Sequence, residues 1–160
     1  MLRIRTLLVC AVVAALRPDR ADRPCGETCH SGDQVATING RVPPGKPTKT
    51  YDPVVMAKTE MADGNWLHVV KSVRRAGTRA GIHIHKYGGH TCVLSGTITD
   101  FVEGHDPGVF PANTCYYMPP CTPMTAANLG SEDVVLIDTF ILPEGEDEIT
   151  FIEPDFPPAE

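Results

Sequence analysis

The stretch Gly77-Thr-Arg-Ala-Gly-Ile-His83-Ile-His85-Lys-Tyr-Gly-Gly-His90-Thr-Cys-Val-Leu-Ser-Gly96 decides the fold of this chain. His83 and His85 are two residues apart among apolar neighbours. Because strand side chains alternate with a period of two, both imidazoles are predicted to face the same side of one strand. A sheet can offer two imidazoles to one metal ion in this way, so the stretch predicts a metal or ligand site on a β-sheet.

Short apolar runs separated by turn residues extend this pattern over much of the chain. Gly88 and Gly89 are predicted to break the histidine strand, and residues 91–95 to form its antiparallel return. Asp63-Gly64 predicts a hairpin turn. The other predicted strands cover residues 53–58, 65–74, 97–102, 115–118, 124–128 and 134–142. No run has helical periodicity beyond a single turn, so we expect an all-β sandwich or barrel.

Length and composition favour one domain with irregular ends. The chain has 160 residues, 42% of them hydrophobic, with 15 prolines and 14 glycines that suit many turns between short strands. We predict a signal peptide over residues 1–16, an irregular arm over 17–49, a β-barrel over 50–143 and an acidic, proline-rich tail over 144–160.

The first residues resemble a secretory signal. Two arginines precede a short apolar run that ends at Leu16 and is too short to span a bilayer. Export to the periplasm or the exterior is the favoured interpretation, with no stable membrane span in the mature chain. Residues 17–23 are a poor cleavage context, so the cleavage site stays open, and a buried strand or a misassigned start codon is the alternative.

Charge excludes nucleic acid as the expected partner. The formal net charge is −6, and the sequence has no long run of lysine or arginine that could follow a phosphate backbone. The acidic surplus lies mainly after Glu132, where a solvated tail explains it without any partner.

Six cysteines bear on the compartment and on the chemistry. Cys25 and Cys29, followed by His30, favour a local disulfide in an exported protein. A soft-metal or redox pair and covalent haem attachment are the alternatives. Cys92 and Cys115 each fall in a predicted strand, where they are either buried thiols or, in an exported protein, joined to each other.

The residue spacing resembles that of the cupin family, whose two motifs are Gly-x5-His-x-His-x3,4-Glu-x6-Gly and Gly-x5-Pro-x-Gly-x2-His-x3-Asn. The positions that match are Gly77, His83, His85 and Gly96 in the first motif, and Pro119 and Asn128 in the second. The resemblance covers about residues 51–142. It implies a small single-domain cupin with a jelly-roll β-barrel and a metal site near the histidine pair.

Departures from the two motifs change the implied ligand set. The glutamate position holds Gly89, the histidine position of the second motif holds Met124, and Cys121 and Asn113 stand where the second motif has glycines. With the longer motif spacing His90 takes the glutamate position instead, which requires a one-residue adjustment in the return strand. The resemblance therefore implies a metal held by His83, His85, His90 and Met124, although Met124 also suits a gap-filling role in the core.

The predicted ligands do not identify the metal. Loss of the carboxylate weakens the prediction of Fe or Mn, imidazoles suit Zn, and imidazoles with a thioether favour Cu. Histidines that line a polar pocket without any metal are the remaining alternative.

Three functions fit the sequence. The first is a metal-dependent enzyme of dioxygenase, isomerase or lyase type that acts on a small organic molecule. The second is a non-catalytic module that binds a sugar or another small molecule, and the third is a periplasmic copper-binding protein. The predicted pocket residues are Tyr87, Thr91, Tyr116 and Cys121. The arm over residues 17–49 could supply a swapped strand to a second copy, so a homodimer is also expected.

Overall fold

All regular secondary structure in the described chain is β-strand. The computed structural model describes Cys29 and residues 33–157, so the predictions for residues 1–16 and for Cys25 lie outside the described residues. The strands are β1 (Lys46–Pro47), β2 (Tyr51–Glu60), β3 (Asn65–Arg74), β4 (Thr78–Arg79), β5 (His83–Ile84), β6 (Gly89–Val93), β7 (Thr97–Val102), β8 (Gly108–Pro111), β9 (Thr114–Met118), β10 (Met124–Ala127), β11 (Val134–Pro143) and β12 (Thr150–Phe151). The all-β prediction is confirmed. Over the described ranges, no helix is long and apolar enough to cross a membrane.

Two sheets of mainly antiparallel strands make up the fold. The five-stranded sheet has the order β2-β3-β11-β6-β9. The seven-stranded sheet has the order β1-β4-β10-β5-β12, with β7 paired to β10 and β8 paired to β7. Apolar side chains from both sheets form the main core, among them Val93, Ile98, Met124, Leu136 and Phe140. This arrangement is the predicted jelly roll, which buries one face of each sheet.

Turn residues account for the hairpins. The β2–β3 turn lies where Asp63-Gly64 predicted it, and the Asp63 carboxylate accepts hydrogen bonds from Asn65. Asn113 has a φ of 67° between β8 and β9. Its motif position calls for glycine, and asparagine is among the few other residues that adopt this left-handed conformation readily.

One local prediction is wrong. Residues 91–95 do not form the antiparallel return of the histidine strand, because β5 and β6 belong to different sheets. β5 pairs with β10 and β12, whereas β6 pairs with β11 and β9. Lys86, Tyr87 and Gly88 therefore carry the chain from one sheet to the other. The buried residues on either side of this crossing, His85 and Thr91, keep the period of two, whereas a hairpin with Gly88 and Gly89 as its turn would have paired His90 with Tyr87.

The ends of the predicted barrel also need correction. β1 lies before residue 50 and β12 lies after residue 143, and both are strands of the seven-stranded sheet. The segment predicted as a solvated tail packs against the fold: Ile152 is buried and the Glu153 carboxylate pairs with Arg79. Burial of Ile152 and pairing of Arg79 favour this docked position over an extended one.

Disulfides replace the predicted local cysteine pair. Cys29 is bonded to Cys121, so it is not paired with Cys25, and the prediction of a local disulfide is wrong. Cys92 on β6 is bonded to Cys115 on β9, directly across the strand pair, which is one of the two alternatives that the sequence left open. The residues that pair with Cys29 and Cys92 are set by the tertiary fold and by strand register rather than by spacing along the chain.

Candidate functional site

A cavity of about 350 Å³ lies between the two sheets. Both histidines of the pair line it, His83 from β5 and His85 from the residue that follows this strand. Both are buried, as their same-face alternation predicted. The side chains of the cavity wall are mostly apolar, and those of Val70, Ala126, Leu136, Phe140 and Phe151 belong to this set. The cavity is therefore of a size and composition typical of small-molecule sites.

Backbone carbonyls fix the tautomer of both imidazoles. His83 Nδ1 lies 2.7 Å from the Gly81 carbonyl oxygen, and His85 Nδ1 lies 2.6 Å from the Glu148 carbonyl oxygen. A carbonyl oxygen only accepts hydrogen bonds, so each Nδ1 carries the proton and donates it. The two Nε2 atoms, which are 3.1 Å apart, are left as lone-pair donors when both rings are neutral.

Burial keeps these rings neutral. It is the main cause that lowers the pKa of His83 to about 3, and the neighbouring His85 lowers it further. Burial also lowers the pKa of His85, against the opposing effect of Glu148. Two neutral Nε2 lone pairs facing each other repel unless a cation lies between them. The pair thus has the protonation state and second hydrogen bonds that metal-bound histidines have.

The donor set fits a metal through these two nitrogens. A separation of 3.1 Å is close to that of neighbouring nitrogen ligands whose bonds to one ion are about 2.0–2.1 Å long. Within residues 33–157 and Cys29, no group of three or more His, Cys, Asp or Glu side chains is arranged to hold an ion. His83 and His85 would therefore supply two ligands, and other positions would fall to solvent, a bound molecule or the Met124 thioether.

A polar row crosses the five-stranded sheet on the cavity side. Register places Asp138 of β11 beside Thr91 of β6, and Thr91 beside Tyr116 of β9. The Thr91 hydroxyl donates to Asp138 Oδ1 at 2.6 Å. All three residues line the cavity, so a bound molecule would contact oxygen atoms on this side and imidazoles on the other.

Burial raises the pKa values of the acids in this region. It raises the pKa of Asp138 to about 6, opposed by the Thr91 hydrogen bond and by the charge of Arg74. It also raises the pKa of Asp100 on β7 to about 7. The pKa of Tyr116 lies well above its usual value, first because of burial and then because of the two carboxylates. Asp138 can therefore bind or release a proton near neutral pH, whereas Tyr116 stays protonated.

Comparison with known structures agrees with this architecture. One similar structure is that of an uncharacterized conserved protein with a double-stranded β-helix domain from Klebsiella pneumoniae, at 20% identity, covering 68% of this chain and 90% of that one with a TM-score of 0.51. The chain has the cupin fold. An RmlC-like cupin from Methanocaldococcus jannaschii is also similar, at 16% identity over 61% of this chain and 83% of that one, with a TM-score of 0.49.

A third similar structure is that of a DMSP lyase, DddQ, from Ruegeria pomeroyi, at 17% identity over 59% of this chain and 45% of that one, with a TM-score of 0.48. No family model and no curated protein matches the sequence. At these identities the likeness concerns the cupin fold alone, because one fold hosts many unrelated functions.

The cupin glutamate position is filled by packing in this chain. A Cβ added to Gly89 would lie 2.7 Å from the Phe140 ring and 2.9 Å from the Met118 methyl group. The Phe140 ring in turn packs against the His85 ring, with centroids 5.2 Å apart. An apolar ring therefore occupies the space that a side chain at Gly89 would need, which explains why no carboxylate reaches the histidines from β6.

Of the two further predicted metal ligands, Met124 lines the cavity and His90 does not. His90 is exposed on the outer face of β6, where it packs against Tyr117, so the cupin cavity does not include it and its prediction as a ligand is corrected. Thr91 takes the inward position, in the same period of two as His83 and His85, but on the opposite sheet. Met124 is paired with His83 across β5 and β10, is buried and lines the cavity; its role as a ligand stays a prediction.

Of the four predicted pocket residues, two line the cavity and two do not. Thr91 and Tyr116 line the cavity. Tyr87 packs against the outside of the main core cluster, and Cys121 is exposed and bonded to Cys29, so neither forms part of the cavity wall. The sequence interpretation missed Asp138, although one acidic residue inside the apolar strand Val134–Pro143, at an inward position, was a usable signal.

Proposed function

We propose that this protein is an exported small cupin that holds a metal ion through His83 and His85 and acts on a small organic molecule in the adjoining cavity. One observation carries the proposal. Both Nδ1 atoms donate to backbone carbonyls, which directs the two Nε2 lone pairs at each other over 3.1 Å inside the cavity. Hydrogen bonding of this kind is what orients histidine ligands in metal proteins.

The residues around this pair would bind and orient the substrate. A bound metal would supply Lewis-acid polarisation of a substrate oxygen or acidify a bound water. Asp138 is placed to exchange a proton with the substrate, because its pKa is about 6 and Thr91 fixes its orientation. Phe140 and Phe151 pack beside the histidine rings and limit the access of water.

Export is supported by the two disulfides. Cys29–Cys121 and Cys92–Cys115 join distant parts of the chain, and such bonds persist in oxidising compartments. This agrees with the signal-like start of the sequence and supports a location in the periplasm or outside the cell.

Metal content tests the proposal. We expect the purified chain, after incubation with Fe, Mn, Zn or Cu salts and removal of excess metal, to retain about one ion per chain. The double variant His83→Ala/His85→Ala is expected to retain almost none. Elemental analysis measures both, and the metal with the highest retained stoichiometry identifies the ion.

His90→Ala is the matched control. It removes an imidazole close to the pair in sequence but on the outer face, so its metal content should equal that of the parent protein. Met124→Leu, which keeps the side-chain volume, reports whether the thioether selects copper. Retention of a full complement of metal by the double variant, or no retention of any of the four metals by the parent, would contradict the proposal.

A further inference from the structure

A second polar feature of the cavity lies at the end of β3. Ser72 and Arg74 are two residues apart, so their side chains point to the same face of the strand. Both line the cavity, and they are among its most buried polar residues, with 1% and 4% exposure. Neither has a role in the proposed metal site.

Arg74 is a buried cation without an ionic partner. Its Nη1 donates to the Thr48 carbonyl at 2.8 Å, the Arg79 carbonyl at 3.2 Å and the Thr48 hydroxyl at 3.3 Å. All of these acceptors are uncharged, and Nε has no partner. None of the salt bridges among the described residues involves Arg74. A guanidinium buried in this way is costly unless an anion accompanies it.

The Ser72 hydroxyl is a second buried polar group without a hydrogen-bond partner among the described residues. Such groups are normally satisfied in folded proteins. Arg74 Nε and Ser72 Oγ are thus two buried donors without a partner in the described part of the chain, on two residues that line the cavity, and such donors suit an oxygen anion.

The cavity acid on β11 does not occupy this position. Arg74 pairs in register with Val134, whereas Asp138 pairs with Val70, four residues further along the strand, or roughly 13 Å away. The two residues are thus apart along the strands, although their charges still interact: against the larger effect of burial, the Arg74 charge lowers the pKa of Asp138, and the Asp138 charge raises the pKa of Arg74. The field of Arg74 also reaches the histidines, where it contributes to the low pKa of His83.

We infer that Arg74 and Ser72 form a subsite for the carboxylate of a small organic acid, which extends from there toward the histidine pair. The inference rests on the proposed function for the role of the histidines, and it names the class of substrate. Apolar side chains in the same cavity wall, such as Val70 and Leu136, favour an organic acid over an inorganic anion.

Calorimetric titration with propionate and with its neutral isostere propionamide tests the subsite. The protein is first treated with a chelator, so that a carboxylate cannot bind a metal at the histidines. We expect the parent protein to bind propionate at least about tenfold more tightly than propionamide, and inorganic phosphate more weakly than propionate. Arg74→Gln should abolish the preference for the acid, and Ser72→Ala should weaken propionate binding several-fold.

Arg75→Gln is the matched control, because it removes the same charge one residue away on an exposed side chain and should leave propionate binding unchanged. Equal binding of the acid and the amide by the parent protein, or no binding of propionate, would overturn the subsite. This comparison needs no variant, so it decides even if Arg74→Gln fails to fold. Since the titration is made without metal, its outcome is separate from that of the metal analysis.

Discussion

At the scale of single residues, the site depends on groups whose protonation is set by burial. Asp138 is the main example, since burial raises its pKa to about 6 against the opposing effects of Thr91 and Arg74, while Glu148 raises it further. Between its usual pKa near 4 and this value, the folded chain binds a proton that the unfolded chain has released. Stability contributed by this group is thus complete below pH 4 and lost as the pH rises through 6.

Asp138→Asn should remove this pH dependence. The amide stays neutral at every pH and its oxygen still accepts the Thr91 hydrogen bond. At pH 8 the variant is expected to be more stable than the parent by about 2–3 kcal/mol, and at pH 4 the two should be nearly equal. Chemical unfolding at both pH values measures the difference. Asp147→Asn, on an exposed side chain, is the control, and equal changes for the two variants would refute the burial argument.

At the scale of elements, β6 links the cavity to the rest of its sheet. It supplies Thr91 to the polar row and Cys92 to the disulfide with β9, on opposite faces of the same strand. The covalent link therefore holds the strand pair that positions Thr91 beside Tyr116. Because side chains alternate along β6, Thr91 faces the cavity while its neighbour Cys92 forms the disulfide on the other face.

Replacing both Cys92 and Cys115 by alanine tests the contribution of this link. The bond closes a loop with a sequence separation of 23 residues, and its removal should lower the free energy of unfolding by about 3 kcal/mol through the greater freedom of the unfolded chain. Urea unfolding without reductant measures the loss. The number of free thiols should not change, which is the control. An unchanged unfolding free energy would mean that the link does not limit the unfolded chain.

At the scale of the whole molecule, the C-terminal segment completes the site. β12 pairs with β5, the Glu148 carbonyl holds His85, and Phe151 packs against His83. Glu153 fastens this segment through the buried pair with Arg79 and also accepts a hydrogen bond from the Ile82 amide. The segment that sequence reasoning assigned to a solvated tail therefore positions both histidines.

Glu153→Gln should destabilise the chain by about 3 kcal/mol, because it leaves the Arg79 charge buried without a carboxylate. Glu146→Gln is the matched control: its partner Lys86 is 49% exposed, so the unfolding curve should change little. Thermal or chemical unfolding of the two variants gives the comparison. Similar losses in both would show that burial does not determine the strength of the Arg79 pair.

The sequence by itself determined most of the longer strands and the shared inward face of His83 and His85, because periods of two and turn residues act over a few neighbours. The jelly-roll class followed from the resemblance to cupins. Only the tertiary structure decided the rest. The crossing between sheets at 86–88 placed Thr91 in the sheet opposite the histidines, and Phe140 filled the space beside Gly89. The partners of Cys29 and the burial of Arg74 and Asp138 likewise depend on contacts between residues far apart in the chain, which no local pattern encodes.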